Sequence, residues 1–160
     1  WVYEGLVKYG PQGQVLPALA SNWEIEDTKK GGQTYTFFLR PGVVFHDGSP
    51  WNCQVAKMNF DHIFAEPLRS IDYHGWYGVP KLISSWYCKD KMTLVLTTSE
   101  KYYAFLQELT FIRPLRMLSP ASFVGSADPI LENSCAIDWG TVTAGNTSVT
   151  CLGISNISGT

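Results

Sequence analysis

The sequence predicts a mixed fold of helices and strands, of the α/β or α+β class, and three observations predict it. Two stretches of alternating apolar and polar residues are each divided by a turn signal, as in β-hairpins. Two further stretches carry apolar residues at helical spacing. Hairpins and helices follow each other along the chain, and this order fits both classes.

The first elements are short. Residues 1–9 read as the end of a helix or a short turn, closed by the breaker Gly10-Pro11. The first hairpin joins residues 22–26 to residues 34–40 through a turn at residues 29–32 that ends in two glycines. The second of these strands alternates apolar side chains onto one face, which predicts a half-buried strand.

The sequence after residue 50 predicts a helix, a second hairpin and another helix. Asn52 can cap a helix that runs to residue 65. A second hairpin joins residues 83–88 to residues 92–97. A short amphipathic helix over residues 102–109 completes the series.

Composition and charge limit the function. With 160 residues and 45% hydrophobic residues, the chain can bury a sizeable core. A net charge of −2 argues against nucleic acid as the main partner, because phosphate binding needs a clustered basic excess. All 12 lysines and arginines lie at or before Arg116, so the sequence beyond it differs in character.

The chain has four cysteines: Cys53, Cys88, Cys135 and Cys151. None forms a CxxC pair or has a histidine at metal-ligand spacing, so a zinc or iron-sulfur site is not indicated. Four cysteines allow three pairings, and one of them, Cys135 with Cys151, would bracket the uncharged tail. The even cysteine count, with glycosylation triplets at Asn146 and Asn156, favours an exported protein.

Two arginines, Arg113 and Arg116, stand in an otherwise apolar run. A guanidinium is rarely buried unless an anion meets it, and its planar fork of donors fits a carboxylate or a phosphate. Pro114 biases Arg113 toward extended backbone, on which residues three apart point to opposite faces. The run therefore predicts either a structural ion pair or an anion-binding site, with the two arginines on different faces.

Histidines beside acids suggest an enzyme as an alternative, namely a metal-dependent hydrolase that uses His46, His74 and nearby carboxylates. Against it, the adjacent His46 and Asp47 would diverge on an extended segment. No nucleophile elbow or phosphate loop is present in the sequence.

Three motifs carry a resemblance: Val2-Tyr-Glu-Gly-Leu-Val7, Leu16-Pro-Ala-Leu-Ala20, and residues 35–50 with their Arg-Pro-Gly and Phe-His-Asp-Gly punctuation. With these motifs the chain resembles the family 5 extracellular solute-binding proteins, the receptors of ABC-type peptide and nickel importers. Residues 102–109, followed by Arg113-Pro-Leu-Arg116, are most similar to the periplasmic nickel-binding branch. The resemblance covers most of residues 1–120 and places His46-Asp47 in a structural turn.

The resemblance implies a partial chain, covering part of one lobe of a type II periplasmic-binding-protein-like bilobal fold. Residues 1–123 would form the partial lobe. Residues 124–160 would be a divergent Gly/Ser/Thr-rich insertion that runs into the continuation of the same lobe. The resemblance also implies a monomeric, non-enzymatic receptor, periplasmic or extracellular, that works with an ABC permease in the membrane.

For the ligand, the nickel branch implies nickel chelated by a small carboxylate-rich molecule, with no covalently bound cofactor. A di- or oligopeptide is the alternative within the family. The alternatives of another class are the metal-dependent hydrolase and an extracellular binding fragment without a role in transport.

The resemblance also implies which residues bind the ligand. Arg116 would grip a carboxylate, and Trp76 would pack against the ligand. Tyr73 stands where the family often offers another arginine, and His74 lies beside it as a metal ligand or hydrogen-bond donor. Arg113 is assigned to a structural role.

Overall fold

A computed structural model describes residues 3–64, 79–111 and 115–123. The strands are β1 (Val7–Tyr9), β2 (Val15–Pro17), β3 (Ala20–Asp27), β4 (Gln33–Leu39), β5 (Ile83–Asp90) and β6 (Thr93–Thr98). The helices are α1 (Cys53–Phe64), α2 (Val79–Leu82), α3 (Phe105–Leu109) and a 3-10 helix over Pro120–Phe123. No helix of these residues is long and apolar enough to cross a membrane.

The chain divides into two compact units. Among the described residues, the larger unit comprises residues 3–41, 52–64, 79–111 and 115–117, and it contains both sheets and the three α-helices. Among the described residues, the smaller unit comprises residues 42–51 and 118–123.

A four-stranded antiparallel sheet with the order β3-β4-β6-β5 organises the larger unit. Its outer pairs are the two hairpins predicted from the sequence, so both predictions are confirmed. Its central pair is β4 with β6, in which Phe37 lies opposite Leu94 and Tyr35 lies opposite Leu96.

The burial pattern of the sheet follows from this order. On β4, Tyr35, Phe37 and Leu39 are buried and the residues between them are half-buried, as their alternation predicts. On β6, the residues Thr93–Leu96 are buried at consecutive positions, so both faces of this strand are covered.

Helices α1 and α3 supply aromatic rings to the core. The ring of Phe105 on α3 lies 4.2 Å from that of Tyr35, measured between centroids. The ring of Phe64 on α1 lies 4.7 Å from that of Trp86 on β5. Aromatic pairs at these distances add to the stability gained from buried area alone.

The predicted helix at residues 52–65 is confirmed as α1. The side chain of Asn52 accepts a hydrogen bond from the backbone N–H of Val55 at 3.1 Å, which is the capping role expected of it. The predicted helix at residues 102–109 is shorter in the structure, because residues 102–104 lie in the approach to α3 and regular helix begins at Phe105.

The interpretation of residues 1–9 as a helix end or a short turn is wrong. Val7–Tyr9 is a strand that pairs with Val15–Pro17 in a two-stranded antiparallel sheet. Gly13 allows the tight reversal between them because its φ angle is +78°. Three-residue strands are too short to show a period, and Pro17 in the second one obscured the pairing.

A disulfide joins Cys53, at the start of α1, to Cys88 on β5. This bond fixes the end of the helix to the outer strand of the sheet, and Cys53 is fully buried there. Of the three possible pairings, it leaves only the one in which Cys135 would pair with Cys151. Those two cysteines lie outside the described residues.

We expect the Cys53–Cys88 bond to stabilise the fold substantially. A cross-link between residues 35 positions apart removes enough entropy from the unfolded chain to contribute about 3–4 kcal/mol. Urea denaturation of the Cys53→Ala/Cys88→Ala variant should show this loss relative to the oxidised protein. The control is the same comparison under reducing conditions, where the difference between the two proteins should disappear. Equal stability of the variant and the oxidised protein would contradict the expectation.

Candidate functional site

Arg116 lies in a short segment whose neighbours are buried. Leu115 and Met117 are almost fully buried, whereas Arg116 between them is half-buried, which is the alternation of an extended chain. The backbone N–H of Met117 donates to the carbonyl of Glu4 at 2.9 Å. The segment is therefore held against the N-terminal part of the chain, with the arginine directed away from the two buried side chains.

The guanidinium of Arg116 is held by the end of α3. Its Nη2 donates to the backbone carbonyl of Thr110 at 3.0 Å, and Thr110 is the C-terminal cap of α3. A methyl group at Gly5 would lie 3.4 Å from Nη1, which is van der Waals contact, so the guanidinium lies beside the backbone at Gly5. A guanidinium has five N–H donors, so the bond to Thr110 is compatible with an anionic partner.

The other predicted ligand contacts fall outside the described residues. Tyr73, His74 and Trp76 belong to residues 65–78, and Arg113 belongs to residues 112–114. The structure therefore positions Arg116 alone among the predicted site residues, and the roles of the others stay predictions.

Glu108 is a residue whose contacts the sequence did not predict. Its Oε2 accepts a hydrogen bond from the backbone N–H of Val79 at 2.9 Å, and its Oε1 accepts one from the Tyr102 hydroxyl. The hydrogen bond to Glu108 raises the pKa of Tyr102 above its usual value, and desolvation adds to this effect. Because Val79 is 29 residues away in sequence, no local pattern could indicate this contact.

In the smaller unit, the pair His46-Asp47 lies in a turn, as the resemblance implied. The Asp47 carboxylate accepts the backbone N–H of Ser49 at 2.8 Å and the hydroxyl of Ser119. Gly48 has a φ angle of +84°, which the turn requires. The carboxylate therefore holds a turn, which is a structural role. No group of three or more His, Cys, Asp or Glu side chains in the described ranges could hold a metal ion.

The whole pattern of elements can be compared with known families. The family model described as bacterial extracellular solute-binding proteins, family 5 middle, matches residues 14–129, which is more than half of the chain. The chain belongs to this family. Its members are extracellular binding proteins, so a family 5 protein is exported, and the periplasmic or extracellular location predicted from the sequence is confirmed.

Two curated relatives are similar to this family 5 protein, and their aligned regions span 76% and 75% of the chain. The nickel-binding periplasmic protein of Escherichia coli is 37% identical over 122 residues, which are 76% of this chain and 22% of that protein. The glutathione-binding protein GsiB of Pectobacterium atrosepticum is 31% identical over 120 residues, 75% of this chain and 22% of that protein. The chain thus spans about a fifth of the length of these relatives, both of which are binding proteins.

A solved structure confirms the fold. NikA from Brucella suis, crystallised in complex with Fe(III)-EDTA, superposes with a TM-score of 0.67 at 31% identity, over 79% of this chain and 24% of that one. The predicted mixed α/β fold, as part of a family 5 binding protein, is therefore correct.

We expect Asp47 to stabilise the family 5 fold in a pH-dependent way. Partial burial acts to raise the pKa of Asp47, but the hydrogen bonds from Ser119 and Ser49 outweigh it and lower the pKa below its usual value. A group with a lowered folded-state pKa stabilises the fold above its unfolded pKa, about 3.9. That stabilisation disappears as the pH falls through the folded pKa.

Asp47→Asn should therefore lower the free energy of unfolding at pH 7 by only about 0.5 kcal/mol, because Asp47 is exposed and solvent screens its contacts. The difference from the unmodified protein should shrink below about pH 4. Urea denaturation at pH 7 and pH 3 measures both values. Glu24→Gln, at an exposed position on β3, controls for the loss of one negative charge, and a gap of constant size at both pH values would contradict the prediction.

Proposed function

We propose that the protein carrying this chain is the substrate-binding receptor of an ABC-type importer and captures nickel as a chelate with a small carboxylate ligand. The observation that carries the proposal is the 37% identity to a nickel-binding relative, against 31% to a glutathione-binding one over nearly the same residues. The receptor would act as a monomer and present its ligand to a permease in the membrane.

The chemistry of Arg116 supports a carboxylate-bearing ligand. Its guanidinium is half-buried and is already held by the Thr110 carbonyl, so little side-chain freedom is lost when an anion binds. The planar fork can meet a carboxylate through two parallel hydrogen bonds. EDTA, found with the Brucella suis NikA, is itself a polycarboxylate chelator, which fits recognition of the metal through its chelator.

The remaining predicted residues complete the proposed site. Trp76 would wall the pocket with its ring, and His74 and Tyr73 would add polar contacts. The two lobes of the receptor would close around the ligand by a hinge motion. Recognition of this kind breaks no bond in the ligand, so we propose a receptor and not an enzyme.

A peptide is the second candidate ligand. The relative named for glutathione favours it, because glutathione is a peptide whose carboxylates would also need a cationic partner. In this function Arg116 would meet a peptide carboxylate and no metal would be required.

Calorimetric titration separates the two ligands. We expect the full-length protein that contains this chain to bind nickel-EDTA at least tenfold more tightly than dialanine or glutathione. Each factor of ten corresponds to about 1.4 kcal/mol. EDTA without metal controls for the chelator alone. Tighter binding of the peptides would favour the second candidate, and binding of no probe by the folded protein would contradict a receptor function altogether.

Replacement of Arg116 tests the site itself. Arg116→Ala should weaken binding of nickel-EDTA by about 2–3 kcal/mol, because a charge-assisted hydrogen bond to the carboxylate is lost. Arg116→Lys should also weaken it, since an ammonium keeps the charge without the planar fork. Arg40→Ala, at an exposed position, is the matched control. Thermal melting of each variant monitors the loss of the bond to Thr110, and unchanged affinity in both Arg116 variants would exclude this residue from the site.

A further inference from the structure

Helix α3 depends on contacts outside itself. It has five residues, and a helix of that length has little stability of its own in water. Its apolar residues Phe105 and Leu109 are buried in the core. Its polar contacts are made by Glu108 and, just beyond its end, by Thr110.

The Glu108 carboxylate bridges two neighbouring segments. One oxygen accepts from the Tyr102 hydroxyl before α3, and the other accepts from the backbone N–H of Val79 at 2.9 Å. Val79 begins α2 and is fully buried, and the first N–H groups of a helix have no acceptor within the helix. A buried N–H must be satisfied from elsewhere, so the carboxylate is part of what holds α2 beside α3.

Thr110 transmits this arrangement to the arginine. It lies two residues after Glu108, is almost fully buried, and its backbone N–H donates to the Gln107 carbonyl at 3.0 Å. Its own carbonyl receives the Arg116 guanidinium at 3.0 Å. A shift of α3 relative to α2 would therefore move the acceptor that orients Arg116.

We propose that Glu108 is a positioning residue for the ligand site: by holding α3 against Tyr102 and Val79, it sets the place of the Thr110 carbonyl and through it the orientation of Arg116. The role rests on the proposed function, in which Arg116 meets a carboxylate of the ligand.

Because Glu108 is negatively charged, its removal would change the affinity for an anionic chelate in opposite directions under the two explanations. A carboxylate on the element that holds Arg116 repels an anionic ligand. If charge alone mattered, its removal would tighten the binding of an anionic chelate. If Glu108 positions Arg116, its removal loosens the guanidinium and weakens binding.

The experiment measures nickel-EDTA affinity by calorimetry in the full-length protein that contains this chain. We expect Glu108→Ala to weaken binding about tenfold, because both hydrogen bonds are lost. Glu108→Gln should weaken it less, since one acceptor oxygen remains. Glu26→Ala, which removes an acid at an exposed position on β3, should leave affinity unchanged. If Glu108→Ala does not fold, the affinities of Glu108→Gln and Tyr102→Phe are compared instead. Tyr102→Phe should also weaken nickel-EDTA binding, because it removes the hydroxyl that donates to Glu108.

A double-mutant cycle distinguishes positioning from general loss of stability. In an Arg116→Ala background, Glu108→Gln should have no further effect on nickel-EDTA affinity. Equal or tighter binding of nickel-EDTA by the Glu108 variants would overturn the positioning role of Glu108 but not the receptor function. A loss of affinity that persists in the Arg116→Ala background would do the same. Absence of binding to nickel-EDTA and to peptides by the unmodified folded protein would overturn the receptor function and this role with it.

Discussion

The pairing of β4 with β6 is the interaction on which the larger unit depends. It joins two hairpins that are far apart in sequence, and an isolated hairpin is at best marginally stable in water. At the end of this pair the chain passes so close that a methyl group on Gly32 would lie 1.9 Å from the Thr98 carbonyl oxygen. The Thr98 hydroxyl also accepts the backbone N–H of Gln33 at 2.9 Å. The core, the disulfide and the helices are all placed by this central contact.

The position of Arg116 in the candidate site depends on contacts that begin at the same sheet. Just after β6, the backbone N–H of Ser99 donates to the Leu82 carbonyl at the end of α2. Helix α2 then meets α3 through Glu108, and α3 meets the arginine segment through Thr110. A short series of hydrogen bonds thus connects the rigid centre of the unit to a side chain that would contact ligand. Rigid support of this kind lets a binding group keep its orientation before ligand arrives.

The elements that could be predicted from the sequence are those whose own residues determine their secondary structure. Both hairpins and α1 could be predicted from the sequence because their apolar residues recur over five or more positions and Asn52 marks a helix start. The strand Val7–Tyr9 could not, since its stability comes from a partner and not from its own period. The contact of Glu108 with Val79 and the choice of Cys88 as the partner of Cys53 depend on tertiary folding. The predicted ligand role of Arg116 came from family resemblance, because its segment alone favoured a structural ion pair.

The Cys53–Cys88 bond gives this family 5 protein different properties on the two sides of the membrane it must cross. In the reducing cytosol, where the chain is synthesised, the cross-link does not persist. The chain there lacks about 3–4 kcal/mol, a large share of the 5–15 kcal/mol that typically separates folded from unfolded protein. Before export the chain is therefore unfolded for a larger fraction of the time than after oxidation. Once outside, oxidation joins α1 to the outer strand of the sheet, so the same two sulfur atoms leave the fold less stable before export and more stable after it.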